Sequence, residues 1–132
     1  MTTALDTSVL LDVFKPDPEF LERSRELLKR AFDDGSLVVC EVVYAELAPV
    51  FRSKAELDRI LAPLHISLEP LRAEAAYLAG RQWLRYREAG GARDRILPDF
   101  LIGAHALLAA DRLLTRDRGF YREYFTDLRL LE

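Results

Sequence analysis

The sequence predicts an α/β fold in which a mostly parallel sheet of about five strands is flanked by helices. Short apolar segments alternate along the chain with longer amphipathic ones, a pattern typical of strands separated by helices. Half of the 132 residues are hydrophobic, which is enough to bury a core. No repeat, linker or low-complexity tract interrupts this alternation, so we expect one domain spanning residues 1–132.

The strand candidates are short, continuous apolar runs rather than runs that alternate with polar residues. Continuous runs are typical of strands that are covered on both faces, and the intervening helices provide the crossovers that parallel strands require. The candidates are TALD (3–6), SLVVC (36–40), HISLE (65–69), DRLLT (111–115) and DLRLL (127–131).

The helix candidates show apolar residues at helical spacing between capping signals. The second helix is predicted most clearly, because Asp17 is a favoured N-cap, Pro18 suits the first helical position and Gly35 ends the segment. The other candidates are 8–14, 42–51, 53–64, 70–91, which ends at paired glycines, and 98–111.

Composition limits the partners and the compartment that we expect. The net charge of −3 and the pI near 5.5 lack the basic excess of a bulk nucleic-acid binder, so any polyanion must be recognised locally. The single cysteine, Cys40, lies in an apolar run and is predicted to be a buried core thiol. The chain begins without a basic leader and has no window long and apolar enough for a membrane span, so we expect a cytoplasmic protein.

Four acidic residues occupy notable positions in this predicted fold. Asp6 ends the first strand and Asp117 lies two residues beyond the fourth, so both are expected at the carboxyl edge of the sheet, where open α/β folds bind ligands. Asp99 follows Pro98 in the first turn of a helix. Glu46 lies in an otherwise apolar helical stretch, so it is expected on or beside the core face. Converging carboxylates become tolerable when a divalent cation lies between them.

Each acid taken alone also has a purely structural explanation. Asp6 could cap the first helix, and Asp99 could complement the dipole of its own helix. Asp117 could be a turn residue between two solvated arginines, and Glu46 could pair with an arginine. A common site accounts for all four placements with one cause, so we favour it.

Four segments resemble, in order and spacing, the motif blocks of the PIN-domain ribonucleases, and specifically the VapC-type toxins of bacterial and archaeal toxin–antitoxin pairs. The resemblance implies a PIN-like three-layer α/β domain with strand order 3-2-1-4-5, and an endoribonuclease that depends on Mg²⁺ or Mn²⁺. It also implies an acidic quartet of Asp6, Glu46, Asp99 and Asp117, with Thr115 as a polar accessory, a homodimer and a cognate antitoxin. The segments are ALDTSVLLD (4–12), VVYAEL (42–47), RILPDFLIGAHAL (95–107) and LLTRDRGF (113–120).

The chemistry of phosphodiester hydrolysis suits these side chains. A hard cation held by oxygen ligands activates a bound water and neutralises phosphate charge, and carboxylates suit Mg²⁺ or Mn²⁺. Because Mg²⁺ keeps several waters, we expect Asp6 and Asp99 to bind it directly, and Glu46 and Asp117 to act through water or at a second ion. The two histidines, His65 and His105, lack the paired spacing of a zinc site.

Three further acids depart from the family pattern or lie close to its motifs. Glu41 stands where VapC-type toxins often carry a small hydroxyl residue, and we interpret it as a favourable charge at a helix N-terminus rather than a fifth pocket acid. Asp12 and Asp94 are predicted to be solvated surface acids.

One basic segment with interleaved aromatic residues, 81–95, is a candidate contact for RNA. Its arginines could hold phosphates beside the metal, although Trp83 could instead pack in the core with the arginines on an ordinary solvated face. Together with Arg116, which flanks Asp117, the predicted substrate-binding residues are Arg81, Arg85, Arg93, Arg95 and Arg116.

Two other functions remain as alternatives. One is a catalytically silent PIN-like module that acts only by binding, which the presence of all four acids argues against. The other is a phosphatase with Asp6 as a covalent nucleophile, as in haloacid-dehalogenase-like enzymes. Their DxDxT pattern is missing here, because Ser8 occupies the position of the second aspartate.

Overall fold

A parallel β-sheet lies at the centre of the computed structural model, which describes residues 1–91 and 95–132. Within these residues four strands pair in the order β3-β2-β1-β4, and every neighbouring pair is parallel. Nearly all residues of the two central strands are buried, as expected for strands covered on both faces. The strands are β1 (Thr2–Leu5), β2 (Ser36–Val39), β3 (Ser67–Leu68) and β4 (Arg112–Leu114).

The predicted α/β class with a mostly parallel sheet is confirmed, and the strand count differs by one. The fifth candidate, residues 127–131, forms only a single parallel bridge to β4 through Leu113 and Leu130. The buried side chains Leu128 and Leu131 are three residues apart, which does not fit the two-residue alternation of a strand. This segment therefore lies where the fifth strand was expected without continuing the sheet.

Helices flank the sheet, with α1 packed against α2 and α5 packed against α6. Two of the predicted helices end earlier than expected, because a proline follows and cannot donate the next helical hydrogen bond. In each case a short 3₁₀ turn continues the segment, over Ala48–Val50 and Ala62–Leu64. The helices of the described residues are α1 (Thr7–Phe14), α2 (Leu21–Asp34), α3 (Glu41–Leu47), α4 (Lys54–Leu61), α5 (Ala73–Glu88), α6 (Leu97–Ala109) and α7 (Arg118–Tyr124).

Helix α2 begins three residues later than predicted. The Oδ1 atom of Asp17 accepts hydrogen bonds from the backbone N–H groups of Glu19 and Phe20, at 2.8 and 3.0 Å, and so closes a turn before the helix. The predicted end at Gly35 is confirmed. This glycine has a φ of 154°, and a Cβ atom there would lie 2.0 Å from the carbonyl oxygen of Met1, so only glycine fits.

Helix α7 was not predicted, because its first residues, Arg118 and Gly119, belong to the charged turn-like stretch TRDRG (115–119). Its buried aromatic side chains, Phe120 and Tyr121, hold the helix against the core. The ring of Phe120 packs edge-on against Phe100 of α6, with centroids 5.1 Å apart. Tertiary packing of aromatic rings therefore decides the local structure here.

The remaining predictions about the core concern Cys40 and Trp83. Cys40 is buried between β2 and α3, and burial raises the pKa of its thiol, so its interpretation as a core residue is confirmed. Trp83 is only partly buried, with the guanidinium of Arg87 4.9 Å from its ring. Among the helices of residues 1–91 and 95–132, none has the length and apolar character to cross a lipid bilayer.

Candidate functional site

Four acids from distant parts of the chain line one open pocket of about 420 Å³. They are Asp6, Glu46, Asp99 and Asp117. The sheet explains the first and last of these, because β1 and β4 are parallel neighbours and end at the same edge. Leu5 pairs with Leu114, and the N–H of Asp6 donates to the carbonyl of Leu114 at 2.9 Å. The pocket therefore begins where these two strands stop.

Asp6 combines two roles that the sequence analysis treated as alternatives. Its Oδ1 accepts from the N–H of Thr7 at 2.8 Å and caps α1, while the residue also lines the acid pocket. Burial raises the pKa of Asp6 from 3.8 to about 6. Hydrogen bonds from Thr115 and Thr7 oppose this rise, and the negative charges of Asp99 and Glu46 add to it.

Thr115 connects the ends of β1 and β4 through its hydroxyl group. The hydroxyl donates to Oδ2 of Asp6 at 2.6 Å and accepts from the backbone N–H of Asp117 at 3.0 Å. Both partners lie at the pocket, so one buried side chain holds two of the acidic residues in register. The carboxylate of Asp117 in turn forms an ion pair with Arg95.

Glu46 reaches the pocket from α3, which is separated from the end of β2 by one residue and starts at the same edge of the sheet. The apolar surroundings in the sequence placed it on or beside the core, but the residue is exposed, and Val43 and Leu47 face the core instead. The Thr7 hydroxyl donates to Oε1 of Glu46 at 2.6 Å. Thr7 was missed by the sequence analysis, although its position directly after a strand-end acid is a usable signal.

Asp99 lies in the first turn of α6, where its Oδ2 accepts from the backbone N–H of Ile96 at 3.3 Å. It therefore also satisfies one of the free N–H groups at the start of its helix. The backbone carbonyl of Asp99 accepts from the hydroxyl of Tyr121 at 3.2 Å. Burial and the negative charges of Asp6, Asp99 and Asp117 raise the pKa of Tyr121, so its hydroxyl stays protonated.

The donor chemistry of the pocket fits a hard divalent cation. All its acidic side chains offer carboxylate oxygens. Burial raises the pKa of Asp6 and the negative charges of Asp99 and Glu46 add to the rise, so a bound cation would favour the ionised carboxylate. In the present side-chain arrangement, no group of three His, Cys, Asp or Glu residues within the described ranges could hold one ion. Direct ligation by one or two carboxylates plus water is the arrangement compatible with both observations.

The two histidines lie elsewhere. His65 is exposed after a 3₁₀ turn, with a left-handed φ of 52°. His105 is buried in α6, where its Nε2 is 2.8 Å from the carbonyl oxygen of Glu69, and burial lowers its pKa. Neither is among the residues that line the acid pocket.

The five predicted substrate-binding arginines occupy different surroundings. Arg116 lines the acid pocket, and Arg95 pairs with Asp117 at the same place. Arg81 and Arg85 are exposed on α5, and Arg85 donates to Gln82 and lines a separate cavity. Arg93 lies outside the described residues.

The structure corrects the expectation for Asp12. It was predicted to be solvated, but it is only 2% exposed, and its Oδ2 accepts from the Ser24 hydroxyl at 2.5 Å. The same oxygen lies 3.0 Å from Nε of Arg116. The signal in the sequence was present, because Asp12 interrupts the apolar stretch VLLDVF.

The remaining acids fall outside the pocket lining or outside the described residues. Glu41 starts α3, as interpreted from the sequence, and its Oε1 accepts from the N–H of Leu71 at 2.9 Å. It is not among the residues lining the acid pocket. Asp94 lies outside the described residues. Ser8 does line the pocket, and within the described ranges its buried Oγ has no hydrogen-bond partner.

The chain matches one protein family model and is similar in fold to several solved structures. The sequence matches the family model of the PIN domain over residues 3–125. The fold is similar to VapBC-1 from nontypeable Haemophilus influenzae, with a TM-score of 0.72 and 21% identity over 98% of this chain and 96% of that chain. It is also similar to FitAcB from Neisseria gonorrhoeae, with a TM-score of 0.68 and 21% identity over 98% and 96% of the two chains.

A further similar structure is VapBC2 from Rickettsia felis bound to a DNA fragment from their promoter. Its TM-score is 0.67, with 22% identity over 98% of this chain and 97% of that chain. A search of curated proteins found no match. At these identities, the likeness to solved structures establishes the fold.

Proposed function

This chain belongs to the PIN-domain family, and on that premise we propose that it is a metal-dependent endoribonuclease that hydrolyses RNA phosphodiester bonds. The observation that carries the proposal is the convergence of Asp6, Glu46, Asp99 and Asp117 on one open pocket. These acids come from four separate parts of the chain, and burial together with the charges of Asp99 and Glu46 raises the pKa of Asp6. A bound cation would compensate the cost of bringing these carboxylates together.

We propose that Asp6 and Asp99 would bind Mg²⁺ or Mn²⁺ directly, with Glu46 and Asp117 acting through bound water or at a second ion. The ion, when bound, would supply a water of lowered pKa and neutralise charge on the phosphate. The raised pKa of Asp6, about 6, still leaves its carboxylate ionised at neutral pH. Its desolvation makes it a stronger partner for a cation than an exposed carboxylate would be.

The chain's own hydroxyl groups orient this acidic set. Thr115 fixes the Oδ2 atom of Asp6, and Thr7 fixes Oε1 of Glu46, each at 2.6 Å. Tyr121 remains protonated and holds the backbone of Asp99. These hydrogen bonds hold the side chains in place before substrate binds. Less conformational entropy is then lost on binding, which is the physical basis of a preorganised site.

The proposed substrate-binding arginines act at two distances from the acids. Arg116 lines the pocket and can contact the phosphate that is cleaved. Arg95 forms an ion pair with Asp117, and we propose that a cation bound at the pocket would compete for this carboxylate and leave Arg95 available to an RNA phosphate. Arg81, Arg85 and Arg93 are proposed to contact more distant parts of the strand.

The biological role that we propose is the toxin of a type II toxin–antitoxin pair, made of one domain over residues 1–132. The resemblance of the four motif blocks to VapC-type toxins supports this role, and so does the similarity of the fold to VapBC-1 and FitAcB. We accordingly propose a cognate antitoxin and a homodimer as partners. Rescue of growth by co-expression of a neighbouring open reading frame tests the antitoxin.

Cleavage of cellular RNA tests the enzymatic proposal directly. We expect cuts in Mg²⁺ or Mn²⁺, none in EDTA, and none with the Asp99→Asn variant in either metal. Asp33→Asn is the matched control, because Asp33 is an exposed acid that pairs with Lys29 on α2. Metal-dependent cleavage by Asp99→Asn at the wild-type rate would remove the site assignment. RNA binding without cleavage would favour the silent module, and hydrolysis of a phosphomonoester alone would favour the phosphatase.

A further inference from the structure

A second, smaller cavity adjoins the acid pocket. It has a volume of about 140 Å³, and Arg116 lines both cavities. Thr115, whose hydroxyl donates to Asp6, also lines the second cavity, so the two share a wall. Three arginine side chains contribute to its lining, over apolar side chains that include Phe20. They are Arg23, Arg116 and Arg118.

This arginine cavity carries an excess of positive charge. Arg23 pairs with Glu26 at 3.3 Å, but both side chains are mostly exposed, and such surface pairs are weak. Arg116 pairs with Asp12. In the part of the chain that the structure describes, no carboxylate pairs with Arg118. One buried and one solvated carboxylate therefore face three guanidinium groups.

The orientation of Arg116 is fixed by its neighbours. Its Nε lies 3.0 Å from the buried carboxylate of Asp12, which is itself held by Ser24. The guanidinium stacks 4.0 Å from the centroid of the Phe20 ring. The closest contact of this pair is made by Nε, and Arg116 lines both the acid pocket and the arginine cavity. A planar guanidinium held in this way suits the oxygens of a phosphate.

We propose that the arginine cavity is a phosphate subsite, which binds the RNA phosphate next to the one cleaved in the acid pocket. This inference rests on the proposed function and adds a second contact point for the strand. The cavity has room for a phosphate group, since a water molecule occupies roughly 30 Å³ of liquid volume. Its shared wall with the acid pocket places the two sites within reach of neighbouring phosphates on one strand.

Binding of a fluorescent single-stranded RNA at several salt concentrations tests the subsite. The protein carries Asp99→Asn so that it does not cut, and Arg23→Gln, Arg118→Gln and Arg118→Lys are compared in that background. Arg25→Gln is the matched control: Arg25 lies on the same helix, pairs with Glu22 at the same i,i+3 spacing, and has a side-chain exposure of 60% against 59% for Arg23. It does not line the cavity.

We expect Arg23→Gln and Arg118→Gln each to weaken RNA binding several-fold. Each should also reduce the slope of log K against log salt by about 0.7, the value for one lost phosphate contact on a single strand. Arg118→Lys keeps the charge and should keep the slope, and Arg25→Gln should change neither quantity. Thermal unfolding of each variant checks that the fold is intact.

The outcomes separate this inference from the proposed function. If Arg23→Gln and Arg118→Gln bind RNA like Arg25→Gln while the wild type still cuts RNA in Mn²⁺, the subsite is wrong and the nuclease stands. If the wild type does not cut RNA but inorganic phosphate still shifts the Arg118 side-chain resonances, the nuclease is wrong and the cavity is an anion site of another kind. If the binding of an acidic peptide depends on Arg118 while the binding of RNA does not, the cavity belongs to a protein partner and the phosphate subsite is wrong.

Discussion

Replacing Asp6 by asparagine should stabilise the metal-free protein at neutral pH while abolishing its proposed activity. The ionised carboxylate is almost completely buried, and its pKa rises from 3.8 to about 6. This rise corresponds to roughly 3 kcal/mol of lost folding free energy at neutral pH, since a tenfold change in a proton equilibrium is about 1.4 kcal/mol. Asparagine has one oxygen where the carboxylate uses two, one accepting from Thr7 and the other from Thr115, and the loss of one of these hydrogen bonds offsets about 1 kcal/mol.

The net gain that we expect is therefore about 1–2 kcal/mol, or a rise in Tm of roughly 5 °C. It has a defined pH dependence. The folded-state pKa of Asp6 lies above the unfolded value, so the neutral acid contributes stability that is fully present below pH 3.8 and is lost as the pH rises through about 6. The wild type should lose this stability between these pH values, and Asp6→Asn should not.

Urea unfolding in EDTA between pH 4 and pH 8 measures this difference. The free energies of unfolding of wild type and Asp6→Asn should diverge as the pH rises and become parallel above about pH 7. Asp33→Asn, an exposed acid on α2, controls for the loss of one negative charge. If the difference in free energy of unfolding between Asp6→Asn and wild type is the same at pH 4 and pH 8, burial of the ionised Asp6 carboxylate does not destabilise the fold, and the prediction is wrong.

Three further predictions follow from the same contacts. Mn²⁺ should raise the Tm of the wild type but not of Asp6→Asn or Asp99→Asn, and EDTA should reverse the rise, since only a cation bound at the folded pocket stabilises by mass action. An equal rise in all three would place the ion elsewhere. Thr115→Val should lower the cleavage rate about tenfold and destabilise the fold by about 1–3 kcal/mol. Thr115→Ser should keep the wild-type cleavage rate and stability, because it keeps the hydroxyl between Asp6 and Asp117. Full activity of Thr115→Val would contradict the positioning role. Gly35→Ala should lower the free energy of unfolding by about 2 kcal/mol, whereas Gly80→Ala, in an open part of α5, should raise it by about 0.5–1 kcal/mol, and urea titration of both checks the backbone argument.

The sequence predicts the positions of the acids well where secondary structure alone controls them. Asp6 and Asp117 follow strands of a parallel sheet, so a correct assignment of β1 and β4 is enough to bring them to one edge. Asp99 follows a proline at the start of a helix, another position that local signals determine. Asp6 fills its structural role and its pocket position together, because the cap of α1 and the end of β1 lie at the same edge of the sheet.

Prediction fails where packing between elements decides. Asp12 interrupts an apolar stretch, but the sequence does not identify the groups that satisfy it, because its partners Ser24 and Arg116 come from α2 and from the end of β4. The exposure of Glu46 was misjudged for a related reason. Seven-residue α3 buries only Val43 and Leu47, so an apolar neighbourhood in sequence does not specify which face a side chain takes.

The parallel pairing of Leu5 with Leu114 has a consequence for how the pocket can adapt. A slip of one residue in either strand would turn Asp6 or Thr115 to the opposite face and expose core side chains, so the backbone ladder sets their separation. Glu46 and Asp99 are carried by helices, which can tilt slightly without breaking the ladder. Glu46 and Asp99 should therefore shift to accommodate ions with different radii, while Asp6 and Asp117, which follow the strands, keep a fixed separation.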